Sequence, residues 1–429
     1  MLTRLDLRGV TGDIRSRLPR PAPRGGDPVG VVREILAEVR KRGDAAVREL
    51  TERFDGAVVE DLRVADAALA EALRTIPAPL REALSQAATS VEAFHRHQLR
   101  TDARYESHGI VVRELRRPVD RAGAYVPGGR AGYPSTVLMT AIPARVAGVP
   151  EVMLCVPPRP DGSVDPATLA AAALAGVDSV YRIGGAQAIG AMAYGTESVP
   201  PVDVIVGPGN IYVAVAKREV AGEGVVGVPA GFAGPSEVVV VADASTKVEW
   251  AAVDVVVQAE HGPDGLAWLV TWSDAVADAV TAEVGRLVEA SPRRADIEAT
   301  LQDGGYAVVV DGPEQAIEVA NAIAPEHLEL MCADPEALLP LVRHAGAVFC
   351  GPYAPASVGD YVAGPSHVLP TFGSARFSGG LNVDDFVRTI HAVTVDRSAL
   401  ERVAPTVATI ADAEGLAAHA ASVRIRSRP

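Results

Sequence analysis

Cysteine is scarce. Only Cys155, Cys332 and Cys350 occur in 429 residues, and none stands in a C-x-x-C pair, which excludes a disulfide framework and a thiolate zinc site. Any metal must therefore use His, carboxylate or amide ligands. Long apolar runs are missing too: the longest apolar or small stretches, such as 169–177, are far too short to span a bilayer. The opening MLTRLDLRGV lacks a basic-then-apolar layout, so a cytoplasmic location is expected. Positive charge is in deficit. With 40 Lys+Arg against 54 Asp+Glu the formal net charge is -14, which disfavours nucleic acid and anionic membrane as partners. There is no short-period repeat, and no low-complexity tract beyond Ala-rich helices.

What is present is the balance of a globular protein, 48% hydrophobic and 22% charged. The chain is too long for one ordinary core, so two or more packed units are expected. Residues 29–84 carry Val31, Ile35, Val39, Val47 and Leu50 at helical spacing and read as a helical entry region. From Val119 onward, β-branched runs alternate with Ala-rich helical stretches, the pattern of an α/β fold with parallel sheets. Strands are expected at 149–155, 179–183 and 202–206, then at 237–241, 267–272, 306–310 and 347–350. Joints are expected around 116–123 and 228–235. After Gly380 the chain reads as helical to its end, with Pro405 starting or kinking a helix. That tail is too small to fold alone and is expected to dock on another unit or a partner subunit.

Two Gly-rich turns sit where a strand hands over to a helix, at 125–132 (YVPGGRAG) and 207–214 (GPGNIYVA). Such turns let the backbone approach a phosphate at a helix N-terminus, but neither is a G-x-G-x-x-G and no acidic residue for an adenosine ribose is identifiable. Each is either a cofactor loop or a tight turn. Of the nine histidines, His95, His97, His108, His344 and His391 read as hydrogen-bonded surface or core residues. His261 follows Gln258 by three residues at the expected end of a helix, so both side chains share a face where amide oxygen and imidazole could hold a metal. The Gly/Pro-rich stretch 357–367 (SVGDYVAGPSH) places Asp360 and His367 in a loop. In 324–330 (APEHLEL), Glu326 adjoins His327, which reads equally as a general-base pair or as a helix start with an acid near its N-terminus.

Taken together these segments resemble the histidinol dehydrogenase family over nearly the whole chain. The blocks that carry the resemblance are YVPGG from Tyr125, STVLM from Ser135, IGGAQAIG from Ile183, VGPGN from Val206 and AGPSE from Ala233, followed by QAEHGP from Gln258, APEHLE from Ala324, VGDYVAG from Val358 and HVLPT from His367. The resemblance implies two incomplete Rossmann-like parallel-sheet domains with small helical extensions, in an intertwined homodimer. The implied domains are 21–122 with 236–379, and 123–235, flanked by extensions 1–20 and 380–429. It assigns one zinc per subunit to Gln258, His261, Asp360 and His419, the last supplied across the dimer. Glu326 and His327 match the acid/base pair, and Tyr125, Gln187 and Asn210 match the NAD contacts. Ser236, His367 and Glu414 match substrate contacts, shared with Gln258, His261, His327, Asp360 and His419. The implied reaction takes L-histidinol through the aldehyde to L-histidine, with two NAD used per turnover. The family usually has an acid where this chain has Ala230, so another small polar alcohol such as a sulfopropanediol is a second substrate class. A zinc hydrolase would use the same metal set and Glu326 but not Tyr125, Gln187 and Asn210. A two-lobed binding protein would need only a cleft.

Overall fold

Valine, alanine and leucine crowd the strand segments while polar residues fall between them, a composition that hides both faces of a parallel sheet. The computed structural model describes residues 2–19, 28–128, 132–229, 236–260 and 265–426. In chain order its strands are β1 (Thr3–Asp6), β2 (Ala103–Ser107), β3 (Ile110–Pro118), β4 (Arg121–Tyr125), β5 (Glu151–Val156), β6 (Ser179–Arg182) and β7 (Val204–Val206). They continue with β8 (Glu237–Ala242), β9 (Leu266–Thr271), β10 (Gly305–Val309), β11 (His327–Met331), β12 (Ala347–Cys350) and β13 (Val387–Val395). All seven strands expected from sequence form, as β5 to β10 and β12, with ends displaced by no more than two residues. The helical entry region becomes Pro28–Arg42, Asp44–Asp55, Asp66–Thr75 and Ala78–His97. Among the described residues no helix is long and apolar enough to cross a membrane.

The chain divides into two compact units, Met1–Gln98 with Asp120–Phe386, and Leu99–Val119 with Val387–Pro429. In the first, one sheet runs β1-β10-β9-β8-β11-β12, with every pair parallel. Val238, Val239, Val240 and Val241 are wholly buried, because helices cover both faces. Ala251 and Val255 of the helix Val248–Ala259, with Val280 and Val284 of Asp274–Ala290, fill one side. Ala316, Ile317 and Ala320 of the helix Pro313–Ile323 fill the other. A second parallel sheet of the same unit runs β6-β5-β4-β7. Its core joins Met153 and Ile205 to Leu36 and Val39 of the first helix and to Ile189 and Met192 of the helix Gly185–Tyr194.

The second unit corrects one expectation. The tail after Gly380 is not helical throughout, because Val387–Val395 forms β13 and pairs antiparallel with β3, which pairs with β2. Its sequence, VRTIHAVTV, is rich in β-branched residues, which suit a pleated surface better than a helix. This sheet joins a stretch of segment 21–122 to the tail 380–429. Two helices follow, Arg397–Ala413 and Ala417–Arg426, and Pro405 lies inside the first.

Leu269 is wholly buried at the centre of β9. Leu269→Ala is expected to destabilise the first unit by about 2–5 kcal/mol, read as a lower urea midpoint. An unchanged midpoint would show that the six-stranded sheet does not carry the stability assigned to it.

Candidate active site

Parallel strands place all their first residues along one edge, and that edge of the six-stranded sheet gathers the polar groups. The helix Pro313–Ile323 ends at Ala324, whose left-handed backbone (φ 55°, ψ 62°) turns the chain through Pro325 into β11. Residues 327–331 are thus strand, and the helix-start alternative for this segment is set aside. His327 pairs in register with Val238 of β8 and Ala347 of β12.

The His327 imidazole is buried, and its Nδ1 lies 3.2 Å from the Glu237 carbonyl oxygen. A carbonyl only accepts, so Nδ1 carries a proton and Nε2 is the working nitrogen. Nε2 faces Asp360, 3.5 Å from its Oδ1. Glu326 Oε2 lies 3.5 Å from Nδ1 and accepts the Glu237 N–H at 3.0 Å. Burial pushes the Glu326 carboxyl up to about 7, against the opposing pull of His327. For His327, burial alone favours the neutral ring, yet the Glu326 and Asp360 carboxylates together raise it to about 9. A cation that took up the Asp360 charge would withdraw that stabilisation and leave Nε2 free to accept a proton.

Gln258 closes the cluster. It is the penultimate residue of the helix Val248–Ala259 and is 2% exposed. Its Nε2 stands 3.5 Å from His327 Nδ1, while its buried Oε1 has no hydrogen-bond partner among the described residues. A buried amide oxygen left unmatched is costly, and a cation is one group that satisfies it. His367 joins through Asp360, whose backbone oxygen lies 3.0 Å from its Nδ1, and Thr136 Oγ1 lies 3.2 Å from its Nε2. Gly359, just before Asp360, has no room for a side chain: a Cβ there would sit 2.6 Å from the Phe349 ring. Ser236 immediately precedes β8 and is half-buried. His261 and Ala230 lie outside the described residues. Among those described, no three His, Cys, Asp or Glu side chains converge on a metal position. Of the sequence-derived ligands, Gln258 and Asp360 are brought to His327. Glu414 and His419 belong to the second unit, where both are exposed.

Two carboxyl groups escaped the sequence reading. Glu329, 2% exposed, stands two residues after His327 on β11, hence on the same face. It accepts the Ala356 N–H at 2.9 Å, at the start of the short helix Ala356–Tyr361 that carries Asp360. Its Oε2 has no hydrogen-bond partner among the described residues, and the Asp254 carboxyl, one helical turn before Gln258, acts on it electrostatically. Two buried carboxyl groups that act on each other are satisfied by sharing a proton. On that reading the pair links the three elements that carry Gln258, His327 and Asp360. Its signal in the sequence was the spacing of two from His327, visible only once β11 is known to be a strand.

Tyr125, Gln187 and Asn210 meet elsewhere in the same unit, at the last-residue edge of the four-stranded sheet. They line a cavity of about 840 Å³ with Pro157, Gly185 and Tyr212. Asn210 caps the helix Ile211–Gly222, its Oδ1 accepting the Tyr212 and Val213 N–H groups at 3.1 Å, which leaves its amide nitrogen to donate. Gln187 is 1% exposed, and neither of its amide atoms has a hydrogen-bond partner among the described residues. Gly207 takes φ +104°, and a Cβ there would lie 2.0 Å from the Tyr125 carbonyl oxygen, so the two Gly-rich turns touch. The fully buried Lys217 donates to the Gly207 carbonyl from below, another feature the sequence reading missed. A turn beside a capped helix, with unmatched amide groups in a cavity of this volume, fits a dinucleotide.

Comparison with known proteins covers nearly the whole chain. The family model for histidinol dehydrogenase matches residues 20–427. The chain is 51% identical to the histidinol dehydrogenase of Parasynechococcus marenigrum, covering 93% of this chain and 91% of that protein. It is 43% identical to the histidinol dehydrogenase of Bacillus subtilis over 99% of both. The crystal structure of histidinol dehydrogenase from Elizabethkingia anophelis superposes with a TM-score of 0.93 at 34% identity, covering 99% of this chain and 98% of that one.

The Asp254–Glu329 pair generates a pH test. Burial, and then the Asp254 charge, raise the Glu329 carboxyl well above its ordinary range. Such a group holds its proton more tightly folded than unfolded, so its contribution is complete below the unfolded carboxyl range and declines as pH climbs toward the folded value. Glu329→Gln, with an N–H in place of the shared proton, is expected to flatten that decline in thermal melts. Equal pH slopes for the two proteins would sink the shared-proton reading. Glu329→Ala is expected to lose about 1–3 kcal/mol at pH 5.

Proposed function

Because the chain belongs to the histidinol dehydrogenase family, we propose that it oxidises L-histidinol to L-histidine through the aldehyde, with NAD and one zinc per subunit. Family membership sets the zinc-hydrolase and binding-protein readings aside. The observation that carries the proposal is His327 Nε2 facing Asp360 Oδ1 at 3.5 Å, with the buried Gln258 side chain, whose Oε1 is unmatched among the described residues, beside the other ring nitrogen.

Gln258, His261 and Asp360, with His419 of the partner subunit, would hold the zinc; a mixed oxygen and nitrogen donor set suits that ion. Zinc, when bound, supplies orientation of the amino alcohol and positive charge near its oxygen. Ser236, His367 and Glu414 complete the substrate contacts. His327 Nε2 takes the hydroxyl proton as the carbinol C–H leaves as hydride, giving the aldehyde. Glu326, with its carboxyl near 7, accepts a proton from the water that adds to that aldehyde. The hydrate then gives up a second hydride and a proton, which yields the acid. NAD, held by Tyr125, Gln187 and Asn210, is the hydride acceptor in both steps. A homodimer is supported by apolar residues left exposed in the second unit, among them Ile390, Val393, Ile410 and Ile425. The reading places this work in the cytoplasm. The Ala230 departure makes a different small polar alcohol the alternative substrate.

Absorbance of reduced nicotinamide decides between them. The zinc-loaded protein is expected to form about two reduced cofactors per histidine, as two successive hydride transfers require. Reduction only with sulfopropanediol-type alcohols would replace the substrate, and silence with every alcohol would sink the reading. His327→Asn is expected to lower kcat by about 10²–10⁴ while keeping zinc, whereas His261→Asn is expected to lose the metal, measured by atomic absorption.

A further inference from the structure

We propose that Asp55 is the carboxylate that receives a ribose diol of the dinucleotide and makes this chain select NAD over NADP; the inference rests on reading the cavity at Tyr125, Gln187 and Asn210 as the dinucleotide site. Asp55 is the last residue of the helix Asp44–Asp55 and lines that cavity beside Phe54, Val31 and Pro157. Its Oδ2 is buried and has no hydrogen-bond partner among the described residues. That oxygen lies against the turn into the helix Gly185–Tyr194: a Cβ on Gly184 would stand 3.0 Å from it.

Among the described residues no cation compensates this carboxylate. Burial alone moves it, up to about 6, and no charged neighbour shifts it. Arg159, the cationic side chain of the cavity wall, is ion-paired with Asp165. A carboxylate in a wall built from Pro157, Pro158, Pro160, Phe54 and Ile35 is a cost without a structural return. The return comes from a ligand that brings O–H donors, and the adjacent hydroxyls of a ribose bring two. A ribose 2′-phosphate would bring only acceptors and like charge, with no unpaired cation among the described residues of the wall to offset them. The apolar wall beside Asp55 suits the flat purine that such a ribose carries.

In the usual dinucleotide fold the ribose acid follows the Gly-rich fingerprint by roughly 20 residues. Here it comes from the helical layer that precedes the sheet. The absence of a fingerprint acid from 125–132 and 207–214 is then a change of supplier, and the requirement for an acid is kept.

The test is direct titration of the purified protein with NAD and with NADP by isothermal calorimetry, without histidinol, alongside the KM for each cofactor. Asp55→Ala is expected to weaken NAD by roughly tenfold to a hundredfold and, by removing the like charge, to improve NADP, so the preference narrows. Asp55→Asn, which keeps shape and lifts the charge, is expected to recover part of the NAD affinity and to improve NADP; it decides the matter should Asp55→Ala melt early. Gln187→Ala serves as the control for the cavity. If Gln187→Ala weakens NAD and neither Asp55 variant does, the Asp55 assignment is wrong and the cavity reading stands. If none of the three weakens NAD, the cavity is not the dinucleotide site and both fall.

Discussion

The site depends on one backbone residue holding one imidazole. Glu237 offers its carbonyl to His327 Nδ1 and its N–H to Glu326 Oε2, so the first residue of β8 fixes both the tautomer of the ring and the position of the neighbouring carboxyl. This is possible because β8 and β11 are parallel neighbours whose first residues stand level, with His327 opposite Val238. Were the register slipped by one residue, His327 and Glu329 would point to the other face. The valine run that makes β8 a central strand therefore also locates the chemistry.

In open α/β sheets, ligands ordinarily gather beyond the last residues of the strands. The four-stranded sheet obeys this: Tyr125 ends β4, Pro157 follows β5 and Asn210 follows β7, and all line the cavity. The six-stranded sheet does the opposite, with Glu237, Glu326, His327 and Gln258 on the edge where its strands begin. Each parallel sheet thus gathers its polar groups on a different edge, one around the cavity and one around His327.

Strands of continuous Val, Ala and Leu were legible from sequence because burial on both faces leaves an unbroken apolar run. Three kinds of feature were not. β11 begins His-Leu-Glu-Leu behind a proline, so its polar residues imitate a helix start, and only its neighbours β8 and β12 make it a strand. β2 and β13 are largely exposed and β3 is half-buried, so they lack the apolar run that betrays a buried strand. Asp55 belongs to no spacing pattern with the residues it serves, and the spacing of two between His327 and Glu329 means something only once β11 is known to be a strand. Gln187, a polar side chain buried on an Ala-rich helix, was reachable only through family resemblance, because periodicity alone treats that helix as plain core.

The Asp254–Glu329 pair shows why a polar device persists inside an otherwise apolar layer. An isosteric apolar pair could pack the space between helix and strand at no loss of stability, since burying acids is unfavourable. Apolar contact is indifferent to rotation and sliding, however, whereas a proton shared between two carboxyls holds only within hydrogen-bond reach. The second Glu329 contact, to the Ala356 N–H, extends the constraint to the helix bearing Asp360. Three elements that share no covalent proximity are thereby held in one arrangement, and a donor set drawn from separate elements needs that fixity more than it needs the extra burial.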